Sequence, residues 1–211
     1  RGAAMSMPYK EAVIPLVDVM DPSAKAIDSV NTIVNNHGVL TAYNTDYIAI
    51  ARHLKAHRAP SSPTVLLRGA GGMAKAVAAA LRDAGFTAVT IVARNEGAGR
   101  ALAGLYGFGW QDDVNGSTAD LIINVTPLGM AGADETAQSF DDATISAAQV
   151  VFDVVALPSE TPLITAARRA DKKVITGAEV IAIQAEEQFV LYTGVRPSAE
   201  QVREASEFSR R

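Results

Sequence analysis

A glycine-rich turn at residues 69–72 is the first feature of this sequence that could carry chemistry. Gly69, Gly71 and Ala74 stand at the small positions of the G-x-G-x-x-A pattern, where backbone N–H groups can approach a pyrophosphate because no bulky side chain intervenes. The pattern alone also occurs in flexible turns that bind nothing. Here it separates an apolar run, TVLLR, from an alanine-rich stretch typical of a helix, whose positive end would meet the phosphate. The sequence therefore predicts a dinucleotide site at this turn.

The residues after the next predicted strand, TAVTIVA, indicate which dinucleotide is bound. An NAD site usually places an Asp or Glu there, against the ribose hydroxyls. This sequence has Ala93, Arg94 and Asn95 instead, and an arginine favours the 2′-phosphate of NADP. The alternative is that Arg94 is an ordinary solvated charge at a strand end.

Short β-branched runs alternate with helical stretches from position 64 onward. This alternation predicts a parallel sheet that helices cover on both faces. The amphipathic stretch AEVIAIQAEEQFVLYTG follows, and Ser198 with Gln201 forms a capping box that opens a last helix. The predicted strands are TVLLR, TAVTIVA, ADLIINV, QVVFDVV and KVITG, and the predicted helices are Gly72 to about Ala84, EGAGRALAGLYG and TPLITAARRA.

The composition argues against several classes of function. The chain has 19 basic and 23 acidic side chains among 211 residues, so it lacks the positive excess that nucleic-acid binding requires. No apolar run approaches the roughly 20 residues that span a bilayer. The chain has no cysteine, and its 3 histidines lack metal-ligand spacing, so no metal site is predicted. We expect a cytoplasmic protein that binds small molecules.

Several stretches of the sequence, taken together, resemble the shikimate dehydrogenase family. In the family's order these are MPYKEAVIPL, SVNTIVNNHG, YNTDY, RGAGGMAKAVAAAL, VARN, LIINVTPLGM, and ETPLITAARR followed by GAEVIAIQAEEQF. They cover almost the whole chain. The forms NTDYIAI, GGMAKAV and FDVVALP place it nearest to the shikimate dehydrogenase-like branch.

The resemblance implies an α/β fold with a Rossmann-type doubly wound parallel sheet plus an incomplete α/β substrate domain. The substrate domain would comprise residues 1–60, the NADP-binding domain residues 61–177, and C-terminal helices over residues 178–211 would return to the substrate domain. The stretch HRAPSSP, residues 57–63, is the linker. The implied reaction is the reversible, NADP-dependent reduction of 3-dehydroshikimate to shikimate, by a monomer or a homodimer.

The resemblance also assigns a role to individual residues. Lys10 of MPYK and Asp46 of NTD would be the catalytic pair, because an ammonium beside a carboxylate can protonate the alkoxide that forms when a ketone is reduced. Viewed alone, Lys10 is an ordinary surface charge, Asp46 a helix N-cap, Asn31 a turn residue and Gln184 a helix-surface amide. The other implied roles are substrate binding for Ser6, Asn31 and Gln184, phosphate binding for Gly69, Ala70, Gly71 and Gly72, 2′-phosphate binding for Arg94, and nicotinamide contact for Thr126 and Met130.

Some positions depart from the family pattern and leave the substrate open. Ala156 and Leu157 replace a common Tyr and Asn, and Tyr47 and Ala49 replace two glycines. Gly97 and Ala98 stand where the family often has a further basic residue, which would weaken the hold on the cofactor. The alternatives are a dehydrogenase for quinate or another hydroxy acid, or an NADP-binding module with little turnover.

The sequence given begins just ahead of the lysine of the family pattern. In the family, the chain opens with a strand and a helix that carry a serine pair, and this pair holds the substrate carboxylate. Nothing in RGAAMSMPYK resembles that segment. We therefore expect the chain as given to bind nucleotide but to turn over poorly. We also expect a free sheet edge that pairs with another chain, or disorder of residues 1 to about 20.

Overall fold

The structure is a computed structural model that describes residues 1–6, 8–56 and 63–209. The chain forms two compact units, one made of Arg1–Arg52 with Val180–Arg211 and the other of His53–Glu179. Their limits fall inside two helices rather than at the predicted positions 60/61 and 177/178. The predicted linker lies outside the described residues except for Pro63.

The elements follow one another along the chain as strands β1–β10 and helices α1–α8. The strands are β1 (Gly2–Ala4), β2 (Val19–Met20), β3 (Thr32–Asn36), β4 (Val39–Tyr43), β5 (Val65–Arg68), β6 (Val89–Val92), β7 (Gly109–Gln111), β8 (Leu121–Asn124), β9 (Val150–Asp153) and β10 (Lys173–Ile175). The helices are α1 (Pro22–Lys25), α2 (Thr45–Ala56), α3 (Gly72–Asp83), α4 (Glu96–Tyr106), α5 (Asp142–Ala147), α6 (Pro162–Arg169), α7 (Gly177–Thr193) and α8 (Ala199–Phe208), and Ile14–Leu16 forms a 3-10 turn.

The unit His53–Glu179 is built on a six-stranded sheet in the order β10-β9-β8-β5-β6-β7. All its strand pairs are parallel. The order reverses between β5 and β8, as in a doubly wound Rossmann sheet. The α/β prediction is therefore confirmed. The sequence prediction missed β7 and α5, which are only 3 and 6 residues long.

Buried side chains pack on both faces of this sheet. Leu67, Ile122, Ile123, Val151 and Phe152 have no exposed surface, because helices cover the strands from above and below. Helix α3 is buried along nearly its whole length through small alanine side chains. Small side chains let this helix approach the sheet closely, which fixes the position of its first turn.

The unit of Arg1–Arg52 and Val180–Arg211 has a mixed four-stranded sheet in the order β1-β3-β4-β2. Strands β3 and β4 form a hairpin whose two turn residues, His37 and Gly38, both have positive φ, as a type I′ turn requires. Strand β1 pairs antiparallel with β3, so residues 2–4 form a strand where we expected disorder. The other expected outcome, pairing of a free sheet edge with another chain, stays a prediction. Helix α8 opens with the predicted capping box of Ser198 and Gln201.

Within the described ranges, no helix is both long and apolar enough to cross a membrane. The cytoplasmic location remains a prediction.

Gly69 is the glycine of the turn that should tolerate a side chain least. Its φ is +125°, and a Cβ would lie 2.7 Å from Cγ2 of Val125. We expect Gly69→Ala to lower the free energy of unfolding by roughly 1–3 kcal/mol, because it adds both backbone strain and overlap. The measurement is urea denaturation of the nucleotide-free protein.

Gly104→Ala is the matched control. Gly104 lies inside α4, and a Cβ there would meet no atom within 4 Å. This change should raise the free energy of unfolding by about 0.5–1 kcal/mol, since alanine favours a helix interior. Equal effects of the two substitutions would contradict the prediction.

Candidate active site

Lys10 and Asp46 form an ion pair in the unit that contains the N-terminus. Nζ of Lys10 donates to Oδ2 of Asp46 at 2.9 Å, and the two side chains are 30% and 12% exposed. Asp46 stands in the first turn of α2, where the helix dipole favours a carboxylate. The structure thus brings the predicted pair together, with the lysine still accessible to solvent.

The backbone around Lys10 explains how this lysine is placed. Its carbonyl accepts a hydrogen bond from Val30 N at 2.8 Å, and Met5 N donates to the carbonyl of Asn31 at 2.8 Å. Met5 and Lys10 therefore lie beside residues 30 and 31. Ser6 is exposed, and its carbonyl accepts from Tyr9 N at 2.9 Å.

Asn31 is only 1% exposed and holds the start of α2. Its Oδ1 accepts hydrogen bonds from Thr45 N at 2.8 Å and from the hydroxyls of Thr32 and Thr45 at 2.9 and 3.2 Å. Its Nδ2 is buried and has no hydrogen-bond partner among the described residues. A buried donor without a partner is costly, and such a group is available to a ligand oxygen.

Helix α7 brings Gln184 toward the same strand. Nε2 of Gln188 donates to the Thr32 hydroxyl at 3.0 Å. Gln184 precedes Gln188 by four residues, so both side chains lie on one face of the helix. Gln184 is half-buried and lies on the helix face from which Gln188 contacts β3.

A cluster of four charged residues joins α2 to α7, and the sequence analysis missed it. Arg52 contacts Glu186 and Glu187 at 3.0 and 2.5 Å, and Arg196 contacts them at 2.6 and 3.0 Å. Burial alone would raise the pKa of Glu187, but the hydrogen bonds and charges of Arg196 and Arg52 hold it below its usual value. The cluster links the helices that carry Asp46 and Gln184.

The glycines of the turn after β5 have two different functions. One allows the shape of the backbone, and the others leave space at the start of α3. Gly69 is needed for backbone shape, and its N–H donates to the carbonyl of Val92 at 2.9 Å. Gly71 caps α3, and a Cβ at Gly71 or Gly72 would meet no atom within 4 Å. These two glycines therefore leave open space before the free N–H groups of the first turn. Ala70, between Gly69 and Gly71, is half-buried.

Arg94 follows β6, the strand next to β5. It is exposed, and the next residue, Asn95, caps α4 by accepting from Ala98 N at 3.0 Å. The adjacent carbonyl of Ala93 accepts from the Trp110 indole at 3.1 Å. Because parallel strands end at the same edge, Arg94 shares this edge of the sheet with the glycine turn.

Thr126 and Met130 follow β8, on the other side of β5. The Thr126 hydroxyl donates to Oδ1 of Asn124 at 2.6 Å, and Met130 is 47% exposed. All the predicted cofactor residues thus lie at the carboxyl ends of β5, β6 and β8, at the point where the strand order reverses. This is where doubly wound sheets bind nucleotides.

A buried network under Thr126 was also missed. Asp153 is fully buried and accepts from Asn124 Nδ2 at 3.0 Å, Val155 N at 3.0 Å and the Thr161 hydroxyl at 2.7 Å. Burial raises the pKa of Asp153, against the effect of these three donors. The network ties the loop after β8 to the loop after β9.

No group of three or more His, Asp or Glu side chains in the described part of the chain could hold a metal ion. The expectation of a metal-free site remains a prediction.

Comparison with known proteins identifies the family of this chain. The substrate binding domain of shikimate dehydrogenase matches residues 1–33. A shikimate dehydrogenase-like protein from Haemophilus influenzae is 49% identical over 211 residues, which is 100% of this chain and 78% of the relative. The chain belongs to the shikimate dehydrogenase family. The family prediction is therefore confirmed.

Two solved structures extend this result to the family's fold and cofactors. A shikimate 5-dehydrogenase from Thermus thermophilus, in complex with NADP(H) and shikimate, has a TM-score of 0.86 and 32% identity over 99% of this chain and 78% of that one. A quinate dehydrogenase from Corynebacterium glutamicum, in complex with NAD, has a TM-score of 0.87 and 31% identity over 99% and 77%. The predicted class, an NADP-dependent dehydrogenase, is confirmed at the level of the family.

Substitutions of Asp153 test the buried network. Asp153→Ala leaves three donors without an acceptor, so we expect a loss of roughly 3 kcal/mol or more of unfolding free energy at pH 7. Asp153→Asn keeps one acceptor oxygen, and the Thr161 hydroxyl can turn to accept from the new NH₂, so the loss should stay below about 1 kcal/mol. Urea denaturation measures both.

The difference in stability between the wild type and Asp153→Asn should depend on pH. Because the pKa of Asp153 is raised in the folded state, the folded form binds its proton more tightly than the unfolded form does. The stability of the wild type relative to Asp153→Asn should therefore increase as the pH falls through the raised pKa toward the ordinary value of 3.8. A relative stability that falls over this range would contradict the assignment.

Proposed function

We propose that this protein interconverts 3-dehydroshikimate and shikimate with NADP, with Lys10 and Asp46 as the catalytic pair. The observation that carries the proposal is the 2.9 Å contact between the Lys10 ammonium and the Asp46 carboxylate, in a chain of the shikimate dehydrogenase family. Asn31, which contacts the residue before Asp46, supports it by leaving a buried donor unpaired.

The chemistry requires a hydride, a proton and a fixed ketone. NADPH, when bound, supplies the hydride and becomes NADP. As the carbonyl carbon accepts the hydride, its oxygen takes up negative charge, and the Lys10 ammonium gives a proton to that oxygen to form the alcohol. Asp46 orients the ammonium through their hydrogen bond. In the reverse direction the neutral amine accepts the proton.

The substrate would be held by groups around this pair. The Asn31 NH₂ can only donate, so it suits a hydroxyl or carbonyl oxygen. Ser6 and Gln184, which the resemblance assigns to the substrate, add a hydroxyl and an amide. These polar groups fit a ring with several hydroxyls better than an apolar molecule.

The nucleotide unit fits NADP at its sheet edge. Gly71 and Gly72 leave room for the pyrophosphate at the start of α3, and Arg94 is an exposed cation available to a 2′-phosphate. Thr126 and Met130 would border the nicotinamide.

A second candidate is the oxidation of quinate or another cyclic hydroxy acid. It is favoured by Ala156 and Leu157, of which Leu157 is 63% exposed, at positions where the resemblance implies Tyr and Asn. The quinate dehydrogenase that this chain resembles was also solved in complex with NAD. Assays of the purified protein with shikimate and with quinate, each with NADP and with NAD, distinguish the two reactions.

Lys10→Ala tests the catalytic pair. We expect turnover of shikimate to fall by about 100-fold or more, because the proton donor is lost, while NADP affinity changes little. Lys25→Ala, which removes an exposed lysine of α1, is the control and should retain turnover. Normal turnover in Lys10→Ala would show that this lysine is not the proton donor.

Arg94→Ala tests the choice of cofactor. A charge-assisted contact with a phosphate contributes roughly 1.5–3 kcal/mol, so we expect NADP to bind at least about tenfold more weakly and NAD to bind unchanged. Titration calorimetry with both nucleotides measures this, and Arg169→Ala, an exposed arginine of α6, is the control. Equal affinities of the wild type for NADP and NAD would overturn the prediction.

A further inference from the structure

We propose that Thr32 and Gln188 are positioning residues that hold the Asn31 amide with its NH₂ turned to the substrate. This inference rests on the proposed function, because it assumes that Asn31 binds a hydroxy acid. Neither Thr32 nor Gln188 is among the site residues that the sequence predicts.

The backbone of Thr45 fixes which end of the amide faces inward. A backbone N–H can only donate, so the Asn31 atom 2.8 Å from Thr45 N has to be Oδ1. If the amide were rotated by 180°, its NH₂ would face this N–H, which cannot accept, and its oxygen would lose the three hydrogen bonds that it accepts from Thr45 N and the two threonine hydroxyls.

The Thr32 hydroxyl strengthens this choice only if its single proton is directed at Asn31. Oγ1 of Thr32 lies 2.9 Å from Oδ1 of Asn31 and also 3.5 Å from Oγ1 of Thr45, a contact in which either oxygen could donate. The shorter distance favours Asn31 as the acceptor of this proton. A group that donates to the other side of the Thr32 oxygen would support this arrangement.

Gln188 supplies that group from α7. Its Nε2 donates to Oγ1 of Thr32 at 3.0 Å, so the threonine oxygen accepts on that side, and its own proton is left for the nearer acceptor, Oδ1 of Asn31 at 2.9 Å. The contacts form a chain in which Gln188 donates to Thr32 and Thr32 donates to Asn31. Each donor in such a chain polarises the next.

The consequence is an amide whose oxygen is saturated and whose NH₂ is free. Thr32 is fully buried and Asn31 is 1% exposed, so water does not readily replace these contacts. The NH₂ is left without a partner among the described residues and selects an oxygen acceptor, such as a hydroxyl of a cyclic hydroxy acid. Thr45 N thus sets the orientation of the amide, and Thr32 and Gln188 hold it in place.

Thr32→Val is the first test, since valine keeps the shape and removes the hydroxyl. We expect the KM for shikimate to rise about tenfold, while kcat changes by less than about threefold and NADP affinity is unchanged. Thr32→Ser should restore the KM. Thr41→Val, in the neighbouring strand β4, is the matched control and should behave as the wild type.

Gln188→Leu tests the same chain from α7 and provides a second variant if Thr32→Val folds poorly. It should raise the KM in the same direction but less. The double variant should have the KM of Thr32→Val alone, because Gln188 acts only through the hydroxyl. Additive effects of the two substitutions would contradict a single chain of contacts.

A readout without turnover separates this inference from the proposed function. In the ligand-free protein, the ¹H–¹⁵N spectrum should show one sharp pair of Asn31 NH₂ signals, assigned by their loss in Asn31→Asp. In Thr32→Val or Gln188→Leu this pair should shift or broaden, because the amide oxygen loses or weakens one of its hydrogen bonds while Thr45 N still fixes its orientation. Unchanged Asn31 signals in both variants would overturn the inference whatever the activity is. Absence of turnover in the wild type with shikimate and quinate would instead count against the proposed function.

Discussion

The hydrogen bond from Thr45 N to Oδ1 of Asn31 is the contact on which the substrate side of this molecule depends. It joins the residue before β3 to the first turn of α2 at 2.8 Å, inside a region that water hardly reaches. Asp46 follows Thr45 directly, and the backbone of Lys10 is bonded to the residue before Asn31. One amide therefore sets the distance between two segments that are far apart in the sequence, and the lysine and the aspartate meet as a result.

The nucleotide side depends on a different constraint, the close passage of two loops at the edge of a parallel sheet. The turn after β5 can run beside the loop after β8 only because Gly69 lacks a side chain. Asn124 and Asp153, at the ends of neighbouring strands, then fix the second loop from below. No cation among the described residues pairs with this buried carboxylate, and three neutral donors satisfy it instead.

The sequence was informative where a local pattern has a local cause. Alternating apolar runs predicted the parallel sheet, and a glycine turn between a strand and a helix predicted the phosphate site. The edge strand β7 escaped prediction because three residues that include Gly109 carry no recognisable period. Lys10 and Asp46 could be named only through the resemblance, since a single lysine has the same local pattern on any surface.

Contacts between distant segments were beyond the sequence for a physical reason. Nothing near Arg52 indicates that it meets Glu186 and Glu187, because the pairing arises only once α2 and α7 pack together. The Asn124–Asp153 pair left a weaker signal that could have been used. Each is a polar residue that ends an otherwise apolar strand, and parallel neighbours bring such ends side by side.

The position of Trp110 gives the nucleotide unit an internal optical probe. It is the only tryptophan of the chain. Its indole N–H donates a hydrogen bond to the carbonyl of Ala93, the residue before Arg94. The centre of its ring lies 4.2 Å from the Arg100 guanidinium. A Cβ on Gly99 would overlap the indole ring, so the ring is closely packed against α4. Its fluorescence therefore originates from one site, beside the arginine that would meet a 2′-phosphate, and reports on the electrostatic surroundings of that end of the sheet without any added label.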